Sequence, residues 1–172
     1  GAGSAWGLYS RFGQATPRGS GGYTVYRADH WLVAGTGLAY GDLLGTKHGV
    51  VGYETTGRLL DFDDYQLPIT RAHAKAPSGE QTVVVAFTPS SNVGVGEYPA
   101  SISALSDQGD LEFVASRLHG RVDADSLARV RHGNSVMMVV EPYGAGGGEV
   151  VVIGTTDWAF GLGDDPDVQQ VT

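Results

Sequence analysis

One glutamate of this sequence stands where a catalytic acid or base could work. Glu54 follows a short apolar run and lies beside Tyr53, with Gly52 and Gly57 on either side. Because glycine lets a ligand or another segment come close to the backbone, a glutamate that loses its water there could serve as a general base or a metal ligand. The alternative is an exposed glutamate in a hairpin. The sequence thus offers Glu54 as a catalytic residue and Tyr53 as part of a substrate pocket.

A histidine between an acid and an indole is the second candidate. His30 is flanked by Asp29 and Trp31 at the end of a predicted strand. Imidazole is well suited to proton transfer near neutral pH, and a neighbouring carboxylate can orient it. We therefore predict His30 to be catalytic; the alternative is a histidine that makes a structural hydrogen bond at a turn.

The third candidate segment follows an apolar run near the end of the sequence. Residues 149–153 predict a short strand buried on both faces, and Gly154-Thr155-Thr156-Asp157-Trp158 comes directly after it. In an open α/β sheet, ligands bind beyond the carboxyl ends of the strands, so a carboxylate and an indole at this place could line a pocket. We predict Asp157 and Trp158 in the substrate pocket; the alternative is a strand–loop–helix corner in which Trp158 covers the core.

Residue spacing does not support several other kinds of site. The histidines do not pair at the spacing of a zinc site, and the sequence has no cysteine. The glycines at 144–148 precede a strand instead of Lys-Ser/Thr and a helix, which excludes a phosphate loop, and no Gly-x-Ser-x-Gly motif predicts a serine hydrolase. No metal ligand is therefore assigned within this sequence.

The composition limits the class of protein and its partners. With 41% hydrophobic and 17% charged residues, the 172-residue sequence is typical of one globular domain. A net charge of −8 argues against a nucleic-acid partner, and scarce lysine and the lack of a long apolar run argue against a membrane. The lack of cysteine leaves the compartment open, and the lack of a basic and apolar leader favours the cytoplasm.

The elements that would position these candidates are mostly strands. Apolar runs and alternating patterns predict strands at 23–27, 49–54, 57–62, 82–87, 100–105, 135–141 and 149–153, with a further short apolar piece at 31–34. The glycine-rich connector at 144–148 predicts a hairpin between the last two strands. A helix is predicted at 123–133 and another from Asp165-Pro166 onward, while 111–116 fits either a strand or a helix.

These elements predict the organisation of the whole sequence. We expect an irregular lead-in at 1–22 and a single strand-rich α/β domain with a mixed sheet at 23–172. The final helix has Val168 and Val171 on one face and would normally continue and bury it. We therefore expect the sequence to be part of a longer polypeptide.

Taken in order, the candidate segments resemble a known enzyme family. They resemble the C-terminal part of the large (beta) subunit of N,N-dimethylformamidase. The similar segments are Ala28-Asp29-His30-Trp31, Gly35-Thr36-Gly37-Leu38-Ala39-Tyr40-Gly41-Asp42, Val50-Val51-Gly52-Tyr53-Glu54 and Gly154-Thr155-Thr156-Asp157-Trp158-Ala159-Phe160-Gly161-Leu162. The segment 165–172 is similar to that family's terminal helix. The resemblance implies a glutamine-amidotransferase-like α/β fold, of which this sequence is the C-terminal half.

The resemblance also implies an activity and a cofactor. The activity is hydrolysis of the C–N bond of a small, formamide-like amide by metal-activated water. The metal is a mononuclear iron held by tyrosine and glutamate side chains, which we expect mostly upstream of this sequence. Glu54 matches a catalytic acid of the family, with His30 and Trp158 beside the site. Where the family often has an aspartate two residues after this glutamate, this sequence has Thr56.

The partners implied are the small amide and either the remainder of a longer polypeptide or a companion subunit; a homo-oligomer is left open. The alternative to an enzyme is a non-catalytic, β-rich binding or assembly module in which the same residues hold a scaffold. A pocket that contains Glu54 and His30 side by side would favour the enzyme.

Overall fold

The computed structural model describes residues 9–11, 21–52, 54–71, 81–91, 108–141 and 147–172. The strands are β1 (Tyr9–Arg11), β2 (Tyr23–Val25), β3 (Leu43–Leu44), β4 (Thr55–Gly57), β5 (Leu60–Phe62), β6 (Pro68–Thr70), β7 (Gln81–Ser91), β8 (His132–Glu141) and β9 (Val150–Val152). The α-helices are α1 (Gln108–His119), α2 (Ala124–Arg131) and α3 (Pro166–Val171), and short 3-10 turns lie at Trp31–Val33, Thr46–His48 and Asp157–Gly161.

A five-stranded antiparallel sheet organises the described part of the chain. Its strand order is β3-β2-β7-β8-β9, while β1 pairs with β4 and β5 with β6 in two small sheets. The central strands β7 and β8 are long because each contains a run of apolar, largely β-branched residues that suits a pleated surface. A bulge between Val84 and Ala86 shifts their register.

Alternate residues of the central strands enter two different apolar clusters. One face of β8 contributes Met137 and Val139 to a core that also contains Tyr23, Trp158 and Val168. The opposite face contributes to a second cluster, whose buried members are Val84, Val136, Met138 and Val140. The sheet is therefore buried on both faces along β8.

The helices α1 and α2 form a hairpin with a small core of its own. Val114, Ala115 and Val130 are buried there, against partly buried leucines of the same two helices. A capping box begins α2, because the Asp123 side chain accepts from the Ser126 backbone N–H while the Ser126 hydroxyl accepts from the Asp123 N–H. The predicted helix at 123–133 is confirmed from 124 to 131, but Gly133 does not end it, because His132 and Gly133 already belong to β8. The undecided segment 111–116 is helical.

Several predicted strands are confirmed and others are wrong. The predictions at 23–27, 82–87 and 135–141 are confirmed, and β7 continues past Pro89 to Ser91. The described residues of 49–54 are not in a strand, because Gly49 has a left-handed φ of 62° where a 3-10 turn ends. The apolar piece at 31–34 forms a 3-10 turn, and the strand predicted at 57–62 is divided between β4 and β5, which belong to different sheets.

The predicted strand at 149–153 exists, but its burial was predicted wrongly. β9 pairs antiparallel with β8, as the predicted hairpin requires, yet Val150 and Val151 are 39% and 37% exposed. The reason is that β9 is an edge strand of the sheet. Every strand pairing among the described residues is antiparallel, whereas a mixed sheet was predicted. The rule that places ligands beyond the ends of parallel strands therefore does not apply here.

Two further predictions concern segments that are partly or wholly outside the described residues. Tyr9–Arg11, within the lead-in predicted to be irregular, form β1 beside β4. The strand predicted at 100–105 lies outside the described residues. Among the helices of the described part of the chain, none is long and apolar enough to cross a membrane.

Candidate functional site

Glu54 lies where two distant segments of the chain pair. The Thr56 N–H donates to the Gly154 carbonyl at 2.8 Å, and the Thr156 N–H donates to the Glu54 carbonyl at 3.2 Å. Thr55 and Thr155 form the antiparallel bridge between these two bonds. We call this pairing of 54–56 with 154–156 the Glu54 junction. It holds the Glu54 backbone against the turn that carries Asp157, and leaves the glutamate half-buried.

Asp157 approaches the same segment from the other side. A Cβ atom placed on Gly52 would lie 1.7 Å from Oδ2 of Asp157, so only glycine fits beneath this carboxylate as the structure stands. The Thr156 hydroxyl donates to Oδ1 of Asp157 at 3.2 Å, and the Asp157 N–H donates to the Thr155 hydroxyl at 3.1 Å. The sequence prediction that glycine admits another segment beside Glu54 is confirmed. The junction thus brings together two of the predicted residues, Glu54 and Asp157.

A buried polar network supports the junction from the core side. The Tyr23 hydroxyl donates to the Ile153 carbonyl and lies 2.7 Å from Oγ of Ser135, which donates to the Gly154 carbonyl at 2.7 Å. Burial raises the pKa of Tyr23, and the neighbouring Ser135 hydroxyl acts against that shift. Gly154 itself has a φ of 79°, and a Cβ there would lie 2.2 Å from the Val136 carbonyl oxygen. The turn can therefore reach β4 only with glycine at this position.

Trp158 turns away from the junction and into the core. It is 8% exposed, its ring centroid lies 6.4 Å from that of Tyr23, and its indole N–H donates to the Thr172 hydroxyl at 3.0 Å. These are the contacts of the strand–loop–helix corner that the sequence offered as the alternative to a pocket wall. A role for Trp158 in substrate binding stays a prediction.

His30 lies at the opposite end of the sheet from Glu54. Its Nδ1 accepts from the Leu32 N–H at 3.2 Å and so caps the 3-10 turn at Trp31–Val33. Partial burial lowers the pKa of His30, and the carboxylates of Glu141 and Glu149 act against this shift. Glu141 ends β8, whereas the junction lies beside Val136. Five residues of strand span about 17 Å, so the structure does not place His30 beside Glu54.

The last of the predicted site residues, Tyr53, lies outside the described residues. Within the described ranges, no three or more His, Cys, Asp or Glu side chains form a group that could hold a metal ion. The junction segments contribute only two acidic residues, Glu54 and Asp157, and these described residues alone do not fit an iron centre.

A cleft that the sequence did not predict begins at Gly57, three residues after Glu54. It has a volume of about 490 Å³ and lies between β4–β5, β7, the start of β8 and the α1–α2 hairpin. Its basic lining residues are Arg58, Arg71, His119, Arg129 and His132, and its lining includes no described Asp or Glu. Its apolar lining residues include Leu60, Phe62, Phe87, Val114, Leu118 and Val130. We call it the arginine cleft.

The arginine cleft is built around Arg58, which a neighbouring asparagine fixes. The Arg58 N–H donates to Oδ1 of Asn134 at 3.0 Å, and Nδ2 of Asn134 donates to the Arg58 carbonyl at 2.9 Å. The asparagine amide thereby takes the place of a strand partner for Arg58. Arg58 is only 8% exposed. A Gly-Arg pair after a strand was the available sequence signal, but only the fold brings β8 and the helices around it.

The fold and this geometry define a strand-rich α/β domain in which two acidic residues, Glu54 and Asp157, lie on segments that meet at a strand junction. The chain belongs to the family of N,N-dimethylformamidase beta subunit-like C-terminal domains, whose family model matches residues 4–170. The resemblance noted from the sequence is thereby confirmed. No curated protein and no solved structure matches the chain.

Proposed function

We propose that the chain is the C-terminal part of an amide hydrolase that cleaves the C–N bond of a small, formamide-like amide. The family match over residues 4–170 carries this proposal, because the family is described by the beta subunit of N,N-dimethylformamidase. The words "subunit" and "C-terminal" in that description support a companion subunit or a longer polypeptide as the partner. A glutamine-amidotransferase-like fold for the complete domain belongs to the same proposal.

The Glu54 junction supplies the chemistry assigned to this chain. Hydrolysis adds the oxygen of water to the formyl carbon, breaks the C–N bond and yields formate and an amine. In the proposed role, the Glu54 carboxylate accepts a proton from the attacking water and returns it to the departing nitrogen. Asp157, held by Thr155 and Thr156, shapes the adjacent surface. The iron that the family resemblance implies would be held mostly by residues outside this chain, and it would activate the attacking water.

The proposal predicts that Glu54→Gln abolishes most of the activity of the complete enzyme. A general base contributes about 10²–10⁴ in rate, so kcat for N,N-dimethylformamide should fall at least about 100-fold while the fold is retained. Formate and dimethylamine release measures kcat, and circular dichroism measures folding. The chain should also be assayed by itself, together with metal analysis of both preparations.

The matched control is Glu149→Gln, which removes a carboxylate from an exposed position at the other end of the sheet. Its kcat should stay within about twofold of the unmodified enzyme. Equal losses for both variants would assign the effect to charge or stability, and a fully active Glu54→Gln enzyme would contradict the role of Glu54.

The second candidate function is a non-catalytic binding or assembly module. The placement of His30 in a turn cap and of Trp158 in the core favours it, since both residues hold the scaffold. Absence of formamide hydrolysis from both the chain and the complete protein would decide for this module.

A further inference from the structure

We propose that the arginine cleft binds a small organic anion, in which a carboxylate or phosphate group is attached to an aromatic ring. The proposal is independent of amide hydrolysis, because it concerns a separate surface and is tested by binding alone. A volume of about 490 Å³ is that of a small-molecule pocket. The lining combines an apolar floor with basic side chains, which are the two features that such a ligand needs.

The basic side chains give the cleft its preference for an anion. The lining includes three arginines and two histidines but no described acid, although the whole chain has a net charge of −8. A guanidinium binds a carboxylate or phosphate through two parallel hydrogen bonds, and this geometry favours arginine over lysine. The described side chains that line the cleft and carry charge are therefore all basic, in a chain that is acidic as a whole.

Arg58 is the arginine that the fold positions most firmly. Both of its backbone polar groups are bonded to Asn134, and its side chain is largely buried at the cleft. Arg71 is held by the Asp61 carboxylate through two bonds of 3.0 and 2.6 Å. Arg129 pairs with Asp125, which also pairs with Arg121, and Arg121 has a second partner in Asp123. The Arg129 side chain is 61% exposed, so a ligand in the cleft can reach it from solvent.

Aromatic rings form the floor on which the ring of the ligand would rest. Phe87 and Phe62 line the cleft with their centroids 6.0 Å apart, and Tyr26 stacks on Phe87 at 4.7 Å with an angle of 13°. Stacking from behind fixes the Phe87 ring, while Phe62 stays 50% exposed. An exposed, supported aromatic surface gains from a planar ligand ring.

Binding of phenyl phosphate and benzoate to the purified chain tests the proposal. Isothermal titration calorimetry should show saturable binding with one site, and both probes should bind at least about tenfold more tightly than phenol. Inorganic phosphate should bind more weakly than phenyl phosphate, because it lacks the ring. Binding of phenol as tight as that of phenyl phosphate would overturn the anion assignment, and so would the absence of saturation up to 10 mM, about the weakest useful affinity.

Substitutions of the cleft arginines test whether the ligand binds in the cleft. Arg129→Gln and Arg58→Lys should each weaken phenyl phosphate about tenfold, the first by removing a charge and the second by removing the paired hydrogen bonds. Arg121→Gln is the matched control, because Arg121 binds the same Asp125 but does not line the cleft. It should change the dissociation constant less than about twofold.

The test does not depend on the folding of Arg58→Lys, because Arg129→Gln tests the same cleft. Arg129 is an exposed helix residue, so its replacement should leave the circular dichroism spectrum and the unfolding midpoint close to those of the parent chain. Equal dissociation constants for the parent chain and Arg129→Gln would overturn the assignment of the cleft. Equal weakening by Arg129→Gln and Arg121→Gln would show that only net charge matters, which also contradicts it.

Discussion

At the scale of single residues, the hydroxyl of Tyr23 links the core to the Glu54 junction. It is fully buried, and its partners are the Ile153 carbonyl and Ser135, which in turn holds the Gly154 carbonyl. Each of these carbonyls belongs to the turn that brings Asp157 to Gly52. Loss of this hydroxyl would leave a buried acceptor without its donor, which costs about 1–3 kcal/mol.

Tyr23→Phe should therefore lower the free energy of unfolding by about 1–3 kcal/mol at pH 8. Its pH dependence should also change. Burial raises the pKa of Tyr23 in the folded state above its unfolded value of about 10, so above pH 10 the unfolded state loses a proton that the folded state keeps. The unmodified chain should then lose up to about 1.4 kcal/mol of stability per pH unit from this group, and the variant should not.

Urea unfolding at pH 8, 10 and 11 measures this effect. The difference between the two proteins should shrink as the pH rises, since only the unmodified chain carries the shifted group. Tyr65→Phe is the control, because Tyr65 is 86% exposed and should follow the unmodified curve. Parallel pH curves for Tyr23→Phe and the unmodified chain would contradict the prediction.

Residue types predicted the junction better than the cleft. Gly52 beside Glu54 indicated that another segment could come close to the backbone there, and the structure places the Asp157 carboxylate against Gly52. His30 and Trp158 have side chains that fit either a site or a scaffold, so their positions depend on which sheet end and which core they meet. The only local signal at Arg58 is a Gly-Arg pair after a strand, and it does not predict a cleft, because the walls of the cleft come from strands and helices far away in the sequence.

At the scale of elements, the path of the chain depends on where β9 ends. Gly154 has a φ of 79° directly after this edge strand, and its Cα faces the Val136 carbonyl. This conformation sends 154–156 across to β4. Strand identity was predictable from apolar runs, as β7 and β8 show. The burial of β9 was not, because only the order of strands in the sheet decides which strand is at an edge.

Gly154→Ala should destabilise the chain by at least about 2 kcal/mol, since the new methyl group meets a backbone oxygen and the left-handed conformation adds strain. Gly163→Ala is the matched control, because a Cβ there meets nothing within 4 Å and its φ is not left-handed. It should change stability by less than about 1 kcal/mol. Thermal and urea unfolding compare the two variants, and equal midpoints would contradict the packing argument.

At the scale of the whole molecule, stability is concentrated in the central sheet. Among the residues that the structure describes, the larger core has fourteen buried members, whereas the core of the α1–α2 hairpin has three. Strands β7 and β8 also bond to neighbours on both sides over part of their length. The helical hairpin, which forms one wall of the arginine cleft, should therefore open before the sheet does.

Amide hydrogen exchange should show this order. Amides of Met137–Val139 should exchange slowest, through global unfolding, and those of Val114–Leu118 at least about tenfold faster through local opening. Adding phenyl phosphate should slow the helical amides more than the sheet amides if the ligand contacts that wall. Equal protection of the helices and the sheet without ligand would show that the hairpin is an integral part of the core.

The hydrogen bonds between Asn134 and Arg58 fix the position of the segment that joins the Glu54 junction to the arginine cleft. Because one amide both donates to and accepts from the same residue, Arg58 cannot slip along β8 by a single position without losing both bonds. At the other end of the same segment, the Glu54 carbonyl accepts a hydrogen bond from the Thr156 N–H. Four residues of chain span at most about 14 Å, so the Cα atoms of Glu54 and of the cleft residue Arg58 lie no farther apart than this. A molecule that contacted both Glu54 and the arginine cleft would have to span the distance between them, and a shorter molecule would contact only one of the two.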